Sequence, residues 1–246
     1  MTIQNEEMST NNWTSFGMTH IGKIRQINQD AYLNLPDKQL WMVADGMGGH
    51  QAGEFASGAI ADALKSFKPA KTLGATISTI YHELLTVNRE LVELASESGD
   101  DSVIGSTVAI LLVWRQHGII LWSGDSRIYL FRKGKLRQLS RDHNYENQLL
   151  AKGYSAEEVK TQPFTQALTH AIGGAKELYL EAQMQEIRPG DIFLLCSDGL
   201  NKEVVESEIE SILNTTTIEQ AVSELMELTL TRSARDNVTI VTCSAA

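Results

Sequence analysis

The fold class of this chain is indicated by one short segment, Ile128-Tyr129-Leu130-Phe131-Arg132-Lys133-Gly134-Lys135-Leu136-Arg137-Gln138-Leu139. Apolar residues lie on both sides of the central Lys-Gly-Lys, which predicts two short strands joined by a tight turn, a β-hairpin. Because the strands of a hairpin are antiparallel, the middle of the chain favours an antiparallel sheet and argues against a doubly wound parallel one.

Further strands are predicted in both halves of the chain, since short β-branched or apolar runs are bounded there by turn residues. They are residues 13–18, 31–35, 40–44, 107–114, 119–122, 192–196 and 238–243. Between them, apolar residues recur at the spacing of amphipathic helices. The predicted helices are residues 49–67, 76–96, 144–152, 155–160, 206–213 and 217–230.

Length and composition predict one folded α+β domain, with two antiparallel sheets and helices packed outside them. Of the 246 residues, 42% are hydrophobic, which is enough to bury a core. Neither a linker nor an internal repeat divides the chain, so we expect a polar leader, residues 1–12, and a single domain, residues 13–246. The leader lacks the apolar run of a signal peptide, and no run approaches the roughly 20 apolar residues that cross a bilayer. We therefore expect a cytoplasmic protein without membrane insertion.

Residues 140–175 are richer in polar and turn residues than the rest of the chain. Connecting segments of this kind run over the surface and often carry binding functions. This segment is therefore a candidate for a mobile flap over a functional site.

Charge and cysteine content argue against nucleic-acid binding, a cysteine zinc site and a cysteine nucleophile. The chain has 21 Lys and Arg against 31 Asp and Glu, a formal net charge of −10, and no strong basic patch, so we expect no nucleic-acid partner. Its two cysteines, Cys196 and Cys243, lie in apolar runs without a CxxC pair or a nearby histidine. This pattern predicts buried free thiols, neither a zinc site nor a cysteine nucleophile.

Aspartates stand at the ends of the apolar runs. Asp45, Asp125 and Asp198 each follow such a run, and Asp236 comes just before the last one. A single Asp-Gly after a strand is most often only a turn, but four aspartates so placed favour a shared site. Converging carboxylates repel one another unless a cation lies among them, and oxygen ligands without His or Cys favour Mg²⁺ or Mn²⁺. Glycine after Asp45 lets the backbone approach a ligand, so the Gly46 carbonyl is a further candidate.

Arg25 and Asp30 lie in a polar run just before the second predicted strand. Taken alone, Arg25 is as consistent with a surface ion pair as with a function. Beside a carboxylate metal site, its planar guanidinium would be a natural bidentate partner for the oxygens of a phosphate.

Seven motifs resemble, in order and spacing, those of the PPM family of metal-dependent protein serine/threonine phosphatases, type 2C. They are Arg25-Gln26-Ile27-Asn28-Gln29-Asp30-Ala31, Val43-Ala44-Asp45-Gly46-Met47-Gly48-Gly49-His50, Gly105-Ser106-Thr107, Gly124-Asp125-Ser126-Arg127, Leu168-Thr169-His170-Ala171-Ile172-Gly173, Cys196-Ser197-Asp198-Gly199-Leu200 and Ala234-Arg235-Asp236-Asn237-Val238-Thr239. The resemblance covers about residues 13–243, and Asp-Gly-Met-Gly-Gly-His is similar to the bacterial branch. It implies a four-layer α-β-β-α sandwich of two antiparallel sheets flanked by helix pairs.

The resemblance also implies a binuclear metal centre with two Mn²⁺ or Mg²⁺ ions per chain. The ligands implied by the motifs are Asp45, the Gly46 carbonyl, Asp198 and Asp236. Asp30 would act through a water or from behind these ligands, and Asp125 would help to hold a third, more weakly bound ion.

Two further roles follow from the same resemblance. Arg25 matches the arginine that binds the substrate phosphate. The general acid is less directly implied, because Met47 stands where the animal branch has a histidine proposed for that role, and Gln29 stands where many members have Glu. His50 is the tentative candidate, although a histidine at the start of a helix is as often a cap or a surface residue.

The implied activity is hydrolysis of phosphoserine and phosphothreonine in proteins, by direct attack of a water bridging two metal ions. Two alternatives use the same fold: a phosphatase of small phosphoesters, and a catalytically silent phosphoprotein-binding module, which loss of the metal aspartates would mark. A Ca²⁺-stabilised structural domain is disfavoured, because its aspartates would crowd into one short loop. By implication the partners are phosphorylated proteins, substrates of a Hanks-type serine/threonine kinase, and we expect a monomer.

Overall fold

The computed structural model describes residues 13–49, 51–98 and 102–245, so the predicted leader, residues 1–12, lies outside the described residues. The strands are β1 (Trp13–His20), β2 (Asp30–Leu35), β3 (Leu40–Met47), β4 (Gly105–Ser106), β5 (Val108–Trp114), β6 (His117–Ser123), β7 (Arg127–Arg132), β8 (Lys135–Gln138), β9 (Glu181–Glu186), β10 (Ile192–Cys196) and β11 (Val238–Ala245). The helices are α1 (Ala52–Lys65), α2 (Leu73–Ser98), α3 (Tyr145–Ala151), α4 (Ala156–Lys160), α5 (Asp198–Asn201), α6 (Glu206–Thr215) and α7 (Ile218–Thr231), with a short 3₁₀ helix at Pro36–Lys38.

The strands form two antiparallel sheets. One has the order β1-β11-β10-β7-β8, and the other β2-β3-β5-β6-β9, with β4 paired to β3. The hairpin predicted from the sequence is β7–β8, in which Arg132 pairs with Lys135. Its two turn residues, Lys133 and Gly134, have φ angles of 52° and 77°, as the favoured type I′ hairpin turn requires.

The sheets pack face to face, and helices cover their outer faces. Strand β3 shows the arrangement, since side chains alternate across a strand. Trp41 and Val43 enter the cluster between the sheets, where Phe193 and Val241 of the other sheet meet them. Met42 points the other way and packs with residues of α1 and α2. Outward side chains of β10 and β11 pack likewise against α6 and α7. The predicted four-layer α-β-β-α sandwich is confirmed.

The structure differs from the sequence prediction mainly in short or polar elements. Strand β9, the two-residue β4 and the four-residue α5 were not predicted. The first two helices occupy Ala52–Lys65 and Leu73–Ser98, where the sequence indicated 49–67 and 76–96. Helix α7 begins with a capping box, in which Thr217 and Gln220 satisfy each other's backbone N–H groups.

Both cysteines are free and fully buried, as predicted. Burial raises the pKa of Cys196 to about 12 and that of Cys243 well above its usual value. Such thiols stay protonated at neutral pH and are poor nucleophiles.

Candidate active site

Strand ends from both sheets meet at one edge of the sandwich and form a cleft of about 270 Å³. The cleft is lined by six of the eight residues singled out from the sequence, namely Arg25, Asp45, Gly46, Asp125, Asp198 and Asp236. Asp30 is buried beside it, since β2 and β3 pair with Asp30 opposite Asp45. His50, the tentative general acid, lies outside the described residues.

Backbone contacts hold Asp45 and Gly46 in place at the end of β3. The Thr107 hydroxyl accepts a hydrogen bond from the Asp45 N–H at 3.0 Å, and the Thr107 N–H donates to the Asp45 carbonyl at 2.9 Å. A Cβ on Gly46 would lie only 1.9 Å from the carbonyl oxygen of Gly53 and 2.7 Å from that of Gln29. Only glycine therefore lets the three backbone segments approach at this point.

Asp30 joins the two sheets beneath the cleft. Its Oδ2 accepts hydrogen bonds at 2.7 Å from the hydroxyls of Ser197, which directly follows β10, and of Thr239 in β11, two strands of the other sheet. Burial raises the pKa of Asp30 to about 7, against the opposing effect of these two hydrogen bonds.

Burial is the largest influence on the carboxylates at the buried side of the cleft, and repulsion between them adds to it. Burial raises the pKa of Asp45 well above its usual value, and the charge of Asp30 adds to the effect. Burial and the charge of Asp198 raise the pKa of Asp125 to about 7. The pKa of Asp198 is also raised by burial, although Lys202 opposes the shift.

Two cations of the chain lie on the open side of the cleft. Arg25 Nε contacts Asp236 Oδ1 at 3.0 Å, and Lys202 Nζ forms ion pairs with Asp198 and, at 3.4 Å, with Asp236 Oδ2. Burial acts to raise the pKa of Asp236, but the hydrogen bond from Arg25 and the charge of Lys202 outweigh it and hold that pKa below its usual value. The sequence left open whether Arg25 forms an ion pair. It does so with Asp236, a residue of the predicted site.

Sequence reasoning missed Lys202 and the part played by Asn237. The available signal for Lys202 was its position four residues after Asp198, the spacing at which helical side chains meet. Asn237 fixes the loop that carries Arg25: its side chain accepts from the Gln29 N–H at 2.8 Å and donates to the Ile21 carbonyl at 2.9 Å.

The residues of the cleft fit a hard divalent cation in donor chemistry, because all candidate ligands are carboxylate or carbonyl oxygens. Asp30 Oδ1 and Asp198 Oδ1 are buried and have no hydrogen-bond partner within the described residues. As they stand, no three His, Cys, Asp or Glu side chains of the described chain are arranged to hold a metal ion. Asp198 and Asp236 instead form ion pairs with cations of the chain, Asp198 with Lys202 and Asp236 with both Arg25 and Lys202.

The polar segment 140–175 lies against the cleft, and its residues Gln166 and Leu168 line it. The segment is anchored at Gly124, the residue before Asp125. The backbone N–H of His143 donates to the Gly124 carbonyl at 2.9 Å, and the ring Nδ1 of His143 accepts from the Gly124 N–H at 3.1 Å. Gln166 and Leu168 therefore lie beside the site; that residues 140–175 act as a mobile flap over it stays a prediction.

A family model described as Protein phosphatase 2C matches residues 16–239. The chain belongs to this family. It is 31% identical over 235 residues to serine/threonine phosphatase stp of Listeria welshimeri, with 91% of this chain and 92% of the relative covered. The predicted family and the predicted enzyme class, a protein serine/threonine phosphatase, are confirmed.

Solved structures of bacterial phosphatases share its fold. PppA, a key regulatory component of T6SS in Pseudomonas aeruginosa, is 38% identical with a TM-score of 0.87, over 95% of this chain and 98% of that one. The catalytic domain of serine threonine protein phosphatase PstP in complex with two manganese ions is 29% identical with a TM-score of 0.80, over 95% and 98% of the two chains. That complex and the family support divalent metal dependence of this phosphatase.

Helices suited to crossing a bilayer are absent from the described part of this phosphatase, where none combines the necessary length with the necessary apolar character.

Proposed function

We propose that this phosphatase hydrolyses phosphoserine and phosphothreonine in proteins at the aspartate cleft, using two Mn²⁺ or Mg²⁺ ions per chain. The residues that would hold the ions are Asp45, the Gly46 carbonyl, Asp198 and Asp236. The proposal is supported above all by one observation: carboxylates from the ends of both sheets line one cleft and raise one another's pKa. Such a cluster is costly without cations, and it is typical of a metal site.

When bound, a pair of divalent ions supplies a water of lowered pKa for in-line attack on phosphorus. The chain's own residues supply positioning and charge. Arg25 lies at the open rim with 51% of its side chain exposed, so it is placed to release Asp236 and to bind two oxygens of an incoming phosphate. Asp30, fixed by the hydroxyls of Ser197 and Thr239, would act from behind the ligands or through a water.

Two further roles are proposed, for Asp125 and His50. Asp125 lines the same cleft as Asp198 and would help to hold a third, weaker ion; the raising effect of Asp198 on the pKa of Asp125 supports their proximity. His50 remains our candidate for protonating the serine or threonine oxygen as it leaves, on the basis of its place in the sequence motif.

The test is hydrolysis of a phosphothreonine peptide and of p-nitrophenyl phosphate after EDTA treatment, with Mn²⁺ or Mg²⁺ then added back. We expect activity to disappear with EDTA and to return with metal. Asp45→Asn and Asp198→Asn should each reduce kcat/KM by more than about 100-fold, since even residues behind metal ligands change affinity or activity 10–100-fold. Asp37→Asn, at an exposed aspartate outside the cleft, is the matched control.

Retained activity in either cleft variant would refute the ligand assignment. The ratio of peptide to small-ester turnover distinguishes a protein phosphatase from a phosphatase of small phosphoesters. A folded protein with no activity under either metal would instead support the silent phosphoprotein-binding module.

The wider setting of the enzyme is also proposed. Phosphoprotein substrates made by a Hanks-type kinase, a cytoplasmic location and a monomeric state all rest on the sequence and its bacterial relatives. One domain over residues 13–246 is supported by the pairing of β1 with β11, which runs from Trp13–Ala245 to His20–Val238. Light scattering on a sizing column should give a mass near 27.2 kDa; twice that mass would refute the monomer.

A further inference from the structure

Lys202 contacts two carboxylates of the cleft, although neither the sequence motifs nor the proposed chemistry uses it. It follows directly after α5, four residues from Asp198. Its Nζ forms ion pairs with Asp198 Oδ2 and with Asp236 Oδ2, the latter at 3.4 Å. The ammonium therefore joins the carboxylate after β10 to the carboxylate before β11, two of the proposed metal ligands.

The ammonium reaches further than these two contacts. Asp125 also lies within electrostatic reach of Lys202, although no ion pair between them is formed in the described chain. Arg25, the other cation, contacts Asp236 through Oδ1, the oxygen that Lys202 leaves unused. The two oxygens of Asp236 thus contact different cations, Oδ1 the guanidinium of Arg25 and Oδ2 the ammonium of Lys202.

The oxygens are not equally available to a metal ion. Asp198 Oδ1 is buried and has no hydrogen-bond partner among the described residues, whereas Oδ2 of the same carboxylate is held by Lys202. A divalent ion that binds Asp198 through the inner oxygen can leave Lys202 in place. A divalent ion that binds Asp198 through Oδ2 must displace the ammonium or bear its repulsion.

We propose that Lys202 is a built-in cation that competes with divalent metal for Oδ2 of Asp198 and Oδ2 of Asp236, and so weakens the metal ion that needs these oxygens. This inference rests on the proposed function, because it assumes that these aspartates bind metal. It assigns Lys202 a role in setting metal stoichiometry: at moderate Mn²⁺ the protein's own ammonium takes the place of the ion that needs these two oxygens.

The test measures Mn²⁺ binding to the full chain by titration calorimetry and by the electron paramagnetic resonance signal of free Mn²⁺. Lys202→Gln should tighten the weakest Mn²⁺ by about tenfold or more, an effect kept modest because half of the lysine side chain is exposed. Lys202→Arg, which keeps the charge, should bind Mn²⁺ as the wild type does. Lys71→Gln, at an exposed lysine before α2, is the matched control for removing a charge elsewhere.

Circular dichroism shows whether each variant is folded, and Lys202→Met is the second neutral variant if Lys202→Gln does not fold. The inference is overturned if the neutral variants bind Mn²⁺ with the wild-type affinities or more weakly, or if Lys202→Arg tightens binding as much as they do. If neither wild type nor any variant binds Mn²⁺, the proposed metal site fails as well. Wild-type binding that a neutral variant leaves unchanged refutes the role of Lys202 alone.

Discussion

Asp125 offers a direct test of the electrostatics of the cleft, because folding changes its affinity for a proton. Burial and the charge of Asp198 raise the pKa of Asp125 from 3.8 to about 7 in the folded protein. A raised carboxyl pKa means that the folded state binds the proton more tightly than the unfolded state does. The metal-free protein should therefore lose stability as the pH rises above 3.8, and the loss is complete above about pH 7.

The change Asp125→Asn removes this titration and nearly keeps the side-chain volume. One pKa unit corresponds to about 1.4 kcal/mol, so the full rise sets an upper limit of about 4 kcal/mol. Between pH 5 and pH 8 the wild type passes through about two of these units, or about 3 kcal/mol. Since Asp125 keeps some contact with solvent, we expect the variant to gain about 2 kcal/mol over the wild type across this range.

The assay is urea unfolding of both proteins in EDTA at pH 5, 6.5 and 8, with the free energy of unfolding extrapolated to water. Asp236→Asn is the control of opposite sign, because Arg25 and Lys202 hold the pKa of Asp236 below its usual value despite its burial. A lowered carboxyl pKa stabilises the folded state at neutral pH, and that stability is lost as the pH falls through the folded pKa. At pH 8, Asp236→Asn should be less stable than the wild type. A difference between Asp125→Asn and wild type that stays constant from pH 5 to pH 8 would refute the reasoning.

Three further changes test the scaffold and the chemistry. Asp142→Ala removes a buried carboxylate that Arg127 contacts at 2.7 Å, and we expect urea unfolding to show a loss of about 3 kcal/mol in the free energy of unfolding. Glu157→Gln, in an exposed ion pair, should have a far smaller effect, and equal effects of the two changes would contradict this prediction. Gly46→Ala puts a methyl group 1.9 Å from the Gly53 carbonyl oxygen, so the variant should lose phosphatase activity and unfold at a lower Tm in thermal scans. A variant with the Tm of the wild type would contradict the argument from packing. Iodoacetamide should leave the native enzyme active, because both cysteine thiols are buried and have raised pKa values. Mass spectrometry should find both cysteines modified only after unfolding. Inactivation by alkylation of the folded protein would contradict this prediction.

The fold could be predicted from sequence where strands are buried on both sides or end in distinctive turns. Residues 192–196 and 238–243 are nearly all apolar, and β7–β8 carries its turn glycine. Strand β9 could not be found in this way, because Glu181–Glu186 contains four polar residues and lies at the edge of its sheet. Its backbone pairing with β6 makes it a strand, and that partner is more than fifty residues away in the sequence.

The aspartates of the candidate site could be predicted from the sequence, whereas its basic residues were only partly predictable. Aspartates at strand ends converge because antiparallel strands of two packed sheets bring those ends to one edge, so Asp45, Asp198 and Asp236 could be grouped before the structure. Lys202 could not be grouped with Asp236, since 34 residues separate them and only the fold brings them together. For Arg25 the sequence left both an ion pair and a phosphate-binding role open, and its place at the cleft rim is compatible with both.

The placement of the two cations predicts which part of the cleft binds metal most tightly. Among the described residues, no ion pair reaches Asp30 or Asp45, and the charges that act most strongly on Asp45 are all negative. Arg25 and Lys202 both contact the open side, with about half of each side chain in solvent. A divalent ion near Asp45 therefore relieves repulsion that no ion pair of the described residues relieves, whereas an ion that needs Oδ2 of Asp198 meets an ammonium already in place. A metal ion held by Asp45 should therefore bind more tightly than one that needs the oxygens paired with Arg25 or Lys202, because the chain's own cations neutralise only those oxygens.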